Sequence, residues 1–177
     1  MAKAQYIDNV ILDKDLFRLY KDLLDSPTWC LSRSSIPNET YGNFPGKVIK
    51  DNNQIFDPVW NAYFSCLSER INQKFFEKYG YDLPSNIRRI HLGAKNKNHI
   101  TYFHSDNLKD NTISIVGFLT PVWEKVWGGE LYVEEEKIDF VPGRFVIFQS
   151  ERIHNGAAPT KDLHWWRISV NYTLSYD

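Results

Sequence analysis

Apolar residues recur at helical spacing in two stretches of the N-terminal half of the chain. The first stretch, Asp13 to Leu24, predicts a short amphipathic helix that ends before a Ser-Pro pair. The second predicts a longer helix that begins at Asp57 and Pro58, a favourable N-cap and first-turn pair, and ends at Gly80. Its apolar residues at three- or four-residue spacing are Trp60, Phe64, Leu67, Ile71 and Phe75.

The segment between the two predicted helices, Ser32 to Asp57, shows no sustained period. It is rich in Ser, Asn, Pro and Gly, which favour turns and loops. We therefore predict a long irregular segment, and its length is typical of a flap over a site.

From Asn86 onward the dominant period is two, which indicates β-strands. Each candidate strand is bounded by Gly, Pro, Asn or Asp, and short strands of this kind are typical of a sandwich or a barrel. We expect a mainly β fold whose N-terminal helices cover one face of the core. The candidate strands are Arg88 to Leu92, Ile100 to Asp106, Thr112 to Leu119, Glu130 to Val133, Arg144 to Phe148 and Arg167 to Leu174. The Gly-, Lys- and Asn-rich stretch Leu92 to Asn98 is predicted to be a loop.

The length and composition limit the classes that remain. With 177 residues, 42% of them hydrophobic and 15% aromatic, the chain is predicted to fold as one domain, 1–177. That domain divides into a helical part, 1–85, which includes the irregular segment 32–57, and a β core, 86–177. A net charge of −1 gives no general field for attracting phosphate backbones, so nucleic acid is not an expected partner.

Two further features bear on the compartment. The apolar stretches are strand-sized and the N-terminus is polar, so neither a membrane span nor a signal peptide is expected. Two cysteines, Cys30 and Cys66, cannot form a disulfide framework, and we predict buried thiols in a reducing, cytoplasmic setting.

Three residues form a candidate metal site. His104 and Asp106 are two positions apart at the end of a predicted strand, where their side chains would point to the same face. His154 follows the strand that ends at Phe148, and a β fold could bring it opposite His104. Two imidazoles and one carboxylate form the facial triad suited to non-haem Fe(II). The alternatives are an Asp that caps a turn beside a packed His, and a loop histidine bonded to nearby backbone.

The last predicted strand alternates between polar and apolar residues. Arg167, Ser169 and Asn171 share one face, and Ile168 and Val170 share the other. If the polar face points into a barrel, Arg167 is a buried cation, which is costly unless it is paired. A ligand carboxylate would remove that cost. The alternative is a solvated polar face.

These residues together resemble the Fe(II)- and 2-oxoglutarate-dependent oxygenases. The family pattern is His-x-Asp, a distant His and a later basic residue, and the matching residues are His104, Asp106, His154 and Arg167. Ser169 completes an Arg-x-Ser pair. The ordered combination is more specific than any single motif.

The intervening sequence is similar to the prolyl 4-hydroxylase-like branch of this family. Gly128 to Leu131 opens a strand, and Val141 to Phe148 precedes the distal His. Arg167 lies somewhat further after His154 than the basic residue of many hydroxylases does. Lys161 is therefore a rival ligand for the co-substrate carboxylate, although we expect it to face solvent.

The resemblance implies a double-stranded β-helix, a jelly-roll (cupin-like) core, with a catalytic metal triad of His104, Asp106 and His154 around Fe(II). It also implies 2-oxoglutarate as co-substrate, with its distal carboxylate on Arg167, and O2 as oxidant. Tyr102 shares the face of the triad, so its hydroxyl is a candidate contact for 2-oxoglutarate, and Asn171 is a lesser one. Ascorbate is a candidate reductant.

The expected activity is hydroxylation of a C–H bond with release of succinate and CO2. The substrate is a peptidyl residue, with proline the first candidate, or a small metabolite. Both substrate classes stay open from the sequence, as does the oligomeric state. The alternative is a metal- or sugar-binding jelly-roll module without turnover, for which the Arg167 and Ser169 pair has no use.

Overall fold

The computed structural model describes residues 3–33, 44–106 and 111–176, and only the backbone of residues 31–33. Its helices are α1 (Asp13–Asp25) and α2 (Pro58–Tyr79), and a 3-10 turn spans Lys125–Trp127. The strands are β1 (Gln5–Ile7), β2 (Cys30–Arg33), β3 (Phe44–Asp51), β4 (Gln54–Ile55), β5 (Asn86–Lys95), β6 (Thr112–Phe118), β7 (Leu131–Val133), β8 (Glu136–Ile138), β9 (Phe145–Gln149), β10 (His154–Gly156) and β11 (Arg167–Ser175).

The helix predictions are confirmed, and the ends of α2 show why. The Asp57 carboxylate accepts a hydrogen bond from the Trp60 N–H at 3.1 Å, and Pro58 occupies the first turn, where its missing N–H costs nothing. Gly80 ends the helix with φ = +80°, a left-handed conformation that favours glycine.

Two antiparallel sheets form the β core. The larger has the order β1-β9-β6-β11-β5-β3-β2, with β4 paired to β3, and the smaller has the order β10-β7-β8. Every pairing within them is antiparallel. This is the mainly β, jelly-roll architecture that the sequence predicts.

The larger sheet is buried on both faces. One face packs on α1 and α2, and the other faces the smaller sheet across a second apolar cluster that includes Phe118, Phe140 and Phe148. In β11 the helix-facing residues Ile168 and Val170 are fully buried. The alternate residues of β11 therefore point between the two sheets, where a polar side chain is enclosed.

Several sequence predictions need correction. Ser32 to Asp57 is not irregular throughout, since it contains β3 and β4, and residues 34–43 lie outside the described part of the chain. The residues of β3 favour a strand only weakly on their own, and pairing with β5 stabilises the strand. Ile100 to Asp106 is not a strand, because it pairs with β10 only through a bridge at His104. The predicted loop from Leu92 begins as strand, because β5 continues to Lys95.

The N-terminal part contributes strands as well as helices. β1 pairs with β9, and β3 pairs with β5, so both extend the larger sheet. Cys30 and Cys66 are free and exposed rather than buried, because Cys66 lies on the outer face of α2 and Cys30 at the start of an edge strand. Among the described residues, neither helix is long and apolar enough to cross a membrane.

The N-cap of α2 also neutralises a buried lysine. The Lys47 ammonium lies 2.8 Å from the Asp57 carboxylate, and Lys47 is buried. Burial raises the pKa of Asp57, but hydrogen bonds from Lys47 and from the Trp60 N–H outweigh it, so the pKa lies below its ordinary value of 3.8. The stability from this pair is therefore present above that value and is lost as the pH falls through the lowered pKa.

We predict that Asp57→Asn and Asp57→Ala separate these two roles at pH 7. Asn keeps the cap but removes the charge opposite Lys47, and should cost about 1–3 kcal/mol in the free energy of unfolding. Ala also removes the cap and should cost about 1 kcal/mol more. Urea denaturation measures both. An Asp57→Asn protein as stable as wild type would show that the ion pair contributes nothing.

Candidate metal and co-substrate site

The structure brings the three predicted metal ligands together. The segment 100–106 approaches β10, and the backbones of His104 and His154 exchange two hydrogen bonds, at 3.0 and 2.8 Å. The Asp106 N–H donates to the Ser150 carbonyl at 3.2 Å, which fixes the carboxylate on the same side. One ligand atom from each of the three side chains lies within 4.8 Å of the others.

Both imidazoles are oriented by backbone carbonyls. The Nδ1 atom of His104 is 3.1 Å from the Tyr102 carbonyl oxygen, and Nδ1 of His154 is 2.9 Å from that of Arg152. A carbonyl only accepts, so we assign the ring hydrogen to Nδ1 in both residues, which leaves the Nε2 lone pair for a metal. Burial, with the neighbouring His154, lowers the pKa of His104 and favours its neutral, metal-binding form.

Two serines that the sequence analysis missed hold the carboxylate. The Ser114 hydroxyl is 2.5 Å from an Asp106 oxygen and 2.9 Å from the Ser150 hydroxyl. A carboxylate only accepts, so Ser114 donates to Asp106 and Ser150 donates to Ser114. Ser114 lies between Ile113 and Ile115 in β6, and this polar position in an apolar strand was the available signal.

Arg167 points between the sheets and is only 1% exposed. Its Nε donates to the Gly129 carbonyl at 2.7 Å, while Nη2 is buried without a hydrogen-bond partner among the described residues. The guanidinium lies beside the rings of Phe118 and Phe140, at 5.6 and 5.2 Å from their centroids. Burial lowers its pKa to about 10, so it remains charged at neutral pH.

A second buried cation, Lys95, lies directly opposite Arg167 in the β5–β11 pairing. Its ammonium donates to the Gly156 carbonyl at 2.7 Å and lies 4.6 Å from the centre of the Phe44 ring. Lys95 is not predicted from the sequence, because it falls in a stretch whose composition predicts a loop.

The other residues that the sequence predicts to contact the co-substrate differ in their burial and position. Ser169 is buried two positions after Arg167 on the same face, and Asn171 follows half-buried. Tyr102 is half-buried next to the triad, where its backbone carbonyl orients His104. Lys161, the rival to Arg167, is exposed.

Helix α1 fixes the start of β11. The Tyr20 hydroxyl accepts a hydrogen bond from the Trp166 N–H at 2.9 Å. On the other side, the Thr120 hydroxyl donates to the Trp166 carbonyl at 2.7 Å and accepts from the Ile168 N–H at 2.9 Å. The backbone on both sides of Arg167 is therefore held by hydrogen bonds to side chains of other elements.

The comparison with protein families agrees with this geometry. The family model of the 2OG-Fe(II) oxygenase superfamily matches residues 85–173, half of the chain, and the matched range contains the triad and both buried cations. The chain therefore belongs to the 2OG-Fe(II) oxygenase superfamily. The protein is a 2-oxoglutarate-dependent dioxygenase, an enzyme class that uses Fe(II), 2-oxoglutarate and O2. A search of curated protein sequences gave no match.

Several solved structures share the fold at low sequence identity. A Pseudomonas putida prolyl 4-hydroxylase is 19% identical, with 98% of this chain and 92% of that chain covered and a TM-score of 0.64. A Trichoplax adhaerens prolyl hydroxylase in complex with a hypoxia-inducible factor peptide is 15% identical, with 97% and 83% covered and a TM-score of 0.65. A 2OG-Fe(II) oxygenase family protein from Burkholderia pseudomallei is 17% identical, with 97% and 84% covered and a TM-score of 0.70.

The residues fit the metal that the family uses. His104, Asp106 and His154 would hold Fe(II) with two imidazole nitrogens and one carboxylate, the donor set of non-haem iron oxygenases, and this set would leave open positions at the metal. The unpartnered guanidinium edge of Arg167 matches an anionic ligand.

We predict that Ser114→Ala weakens metal binding about 10- to 100-fold, because Asp106 loses the hydroxyl that orients it. Isothermal titration with Mn(II) as the probe measures the change, and thermal denaturation checks the fold. Ser68→Ala, which removes a serine hydroxyl bonded within α2, is the matched control and should bind Mn(II) like wild type. Equal Mn(II) affinity in Ser114→Ala and wild type would contradict the role of the serine.

Proposed function

We propose that this dioxygenase hydroxylates a C–H bond of a peptidyl residue, with proline as the first candidate. In this proposal His104, Asp106 and His154 hold Fe(II), and Arg167 with Ser169 holds the distal carboxylate of 2-oxoglutarate. One observation carries the assignment: the oriented His-Asp-His cluster and a buried guanidinium with an unpartnered Nη2 occur in one jelly-roll core.

Each part of the site has a task that its contacts support. Bound Fe(II) would supply the site at which O2 oxidises both 2-oxoglutarate, to succinate and CO2, and the substrate C–H bond, to C–OH, with one oxygen atom going to each. The Tyr102 and Arg152 carbonyls keep the imidazole hydrogens on Nδ1, so both rings present Nε2. Ser114 keeps the Asp106 carboxylate from rotating. Phe118 and Phe140 exclude water from the guanidinium and so strengthen its attraction for a carboxylate.

Tyr102 and Asn171 have lesser proposed roles. Both are half-buried near the proposed ligands, Tyr102 beside the triad and Asn171 on the face of β11 that carries Arg167. We assign each a contact to 2-oxoglutarate or substrate. Ascorbate is proposed as a reductant that returns the iron to Fe(II). The two free, exposed cysteines favour a reducing, cytoplasmic compartment.

The choice of a peptidyl substrate rests on resemblance. The sequence resembles the prolyl 4-hydroxylase-like branch, and three structures with the same fold are described as prolyl hydroxylases, one of them bound to a peptide. A small metabolite is the second candidate. Its support is an epimerase and a carbocyclase of nogalamycin biosynthesis that share the fold, at 11% and 14% identity.

We predict that the protein, supplied with Fe(II), 2-oxoglutarate and ascorbate, releases succinate, and does so faster with its substrate present. Proline-containing peptides and a panel of small molecules distinguish the two substrate classes, because the product gains one oxygen atom that mass spectrometry detects. Labelled O2 shows the source of that atom. Absence of succinate with every substrate, together with no thermal shift by Mn(II) plus 2-oxoglutarate, would overturn the proposed function.

We predict that His104→Ala abolishes metal binding, because one of three ligands is lost and the described residues place no further His, Cys, Asp or Glu in the cluster. Isothermal titration with Mn(II) measures this without turnover. His164→Ala, which removes an exposed histidine outside the cluster, is the control and should leave Mn(II) affinity unchanged. Unchanged affinity in His104→Ala would refute the ligand assignment.

A further inference from the structure

Two buried cations face each other across one strand pair in the interior of the core. Lys95 of β5 and Arg167 of β11 are direct partners in the antiparallel register, and they are 7% and 1% exposed. Among the described residues, neither forms an ion pair with a carboxylate. Burial of two like charges side by side is unfavourable unless a further group compensates them.

The two cationic head groups face the same small volume. A Cβ atom placed on Gly156 would lie 3.5 Å from the Lys95 ammonium, and 3.4 and 3.7 Å from Nη2 and Nη1 of Arg167. Both cations therefore border the space in front of the Gly156 Cα atom. An anion at this position can accept hydrogen bonds from both side chains.

The side chains keep donors free for such an anion. Lys95 donates one of its three ammonium N–H groups to the Gly156 carbonyl, so two remain for another acceptor. Arg167 uses Nε on Gly129, which leaves its terminal nitrogens. The Glu130 carboxylate, whose charge raises the pKa of Arg167, lies 2.7 Å from the Lys137 ammonium. Burial, with the charge of Arg167, lowers the pKa of Lys95 well below 10.5, which is the cost expected when no anion is bound.

We propose that Lys95 binds the distal carboxylate of 2-oxoglutarate together with Arg167, as a second cation on the opposite strand. This inference rests on the proposed assignment of Arg167 to that carboxylate. Two cations from adjacent strands would contact the two carboxylate oxygens from two sides. The site would therefore bind a dicarboxylate more tightly than a monocarboxylate of equal length.

The test compares two ligands in one variant. The full chain is loaded with Mn(II), and isothermal titration gives the Kd for 2-oxoglutarate and for 2-oxovalerate, which lacks the distal carboxylate. Lys95→Met should bind 2-oxoglutarate about 10- to 100-fold more weakly than wild type, with an unchanged Kd for 2-oxovalerate and for Mn(II). Equal losses for both ligands, or no loss for either, would overturn the proposal.

Lys47, a buried lysine that does not face Arg167, provides the matched control. Lys47 is also buried in the larger sheet, but it bonds Ser26 and Asp57 on the helix side. Lys47→Met should lower the melting temperature and leave the Kd for 2-oxoglutarate unchanged. A ligand effect as large as that of Lys95→Met would show that the loss reflects general destabilisation and would contradict the proposal.

An Arg167→Met variant separates this inference from the proposed function. If Arg167→Met weakens 2-oxoglutarate binding and Lys95→Met does not, the role of Lys95 is wrong and the role of Arg167 stands. If neither variant weakens it, both assignments are wrong.

A second variant keeps the proposal testable if Lys95→Met does not fold. Gly156→Ala places a methyl group in the shared volume, and the three nearest atoms that it approaches are the terminal nitrogens of Lys95 and Arg167, at 3.4 to 3.7 Å. It should weaken 2-oxoglutarate binding more than 2-oxovalerate binding, with Mn(II) affinity unchanged. Equal affinity for 2-oxoglutarate in Gly156→Ala and wild type would show that the carboxylate does not occupy this volume.

Discussion

The site depends on the two backbone hydrogen bonds that His104 and His154 exchange. They join an irregular segment to the short strand β10, and they fix two imidazoles in register although the residues are far apart in sequence. Asp106 depends on the same junction, since its N–H reaches the Ser150 carbonyl on the approach to β10. The bridge therefore positions the two histidines and the adjacent Ser150 contact positions Asp106, while the carbonyls two residues before each His set the ring orientation.

A second constraint acts on the opposite sheet, where charge is enclosed in an apolar interior. Arg167 and Lys95 lie on the face of the larger sheet that turns away from the helices, so water cannot stabilise them. The protein compensates partly, through the carbonyls of Gly129 and Gly156 and through aromatic rings. The desolvation cost that these contacts do not compensate adds to the binding energy of an anionic ligand, because the anion replaces the solvation that folding removed.

The sequence predicts the elements that local residue preferences determine. It does not predict the strands that form only because they pair with other strands. The helix α2 follows from Asp57, Pro58 and Gly80. The division of β11 into two faces follows from alternation around Arg167, but alternation alone left open whether the polar face is buried or solvated. In contrast, β3 and the end of β5 are held by neighbouring strands, and their Gly and Lys residues are uncommon in strands when taken alone. Lys95 was missed for this reason, since its burial is a property of the sheet and not of its neighbours in sequence.

The hydrogen bond from the Trp166 N–H to the Tyr20 hydroxyl gives the N-terminal helix a second role. Tyr20 belongs to α1, yet it holds the backbone immediately before Arg167, at the entrance of β11. The helix thus holds the backbone beside Arg167 in addition to covering the core. Through this hydroxyl the helix layer contacts the backbone next to the residue proposed to bind the co-substrate carboxylate, so a shift of α1 would act directly on that backbone.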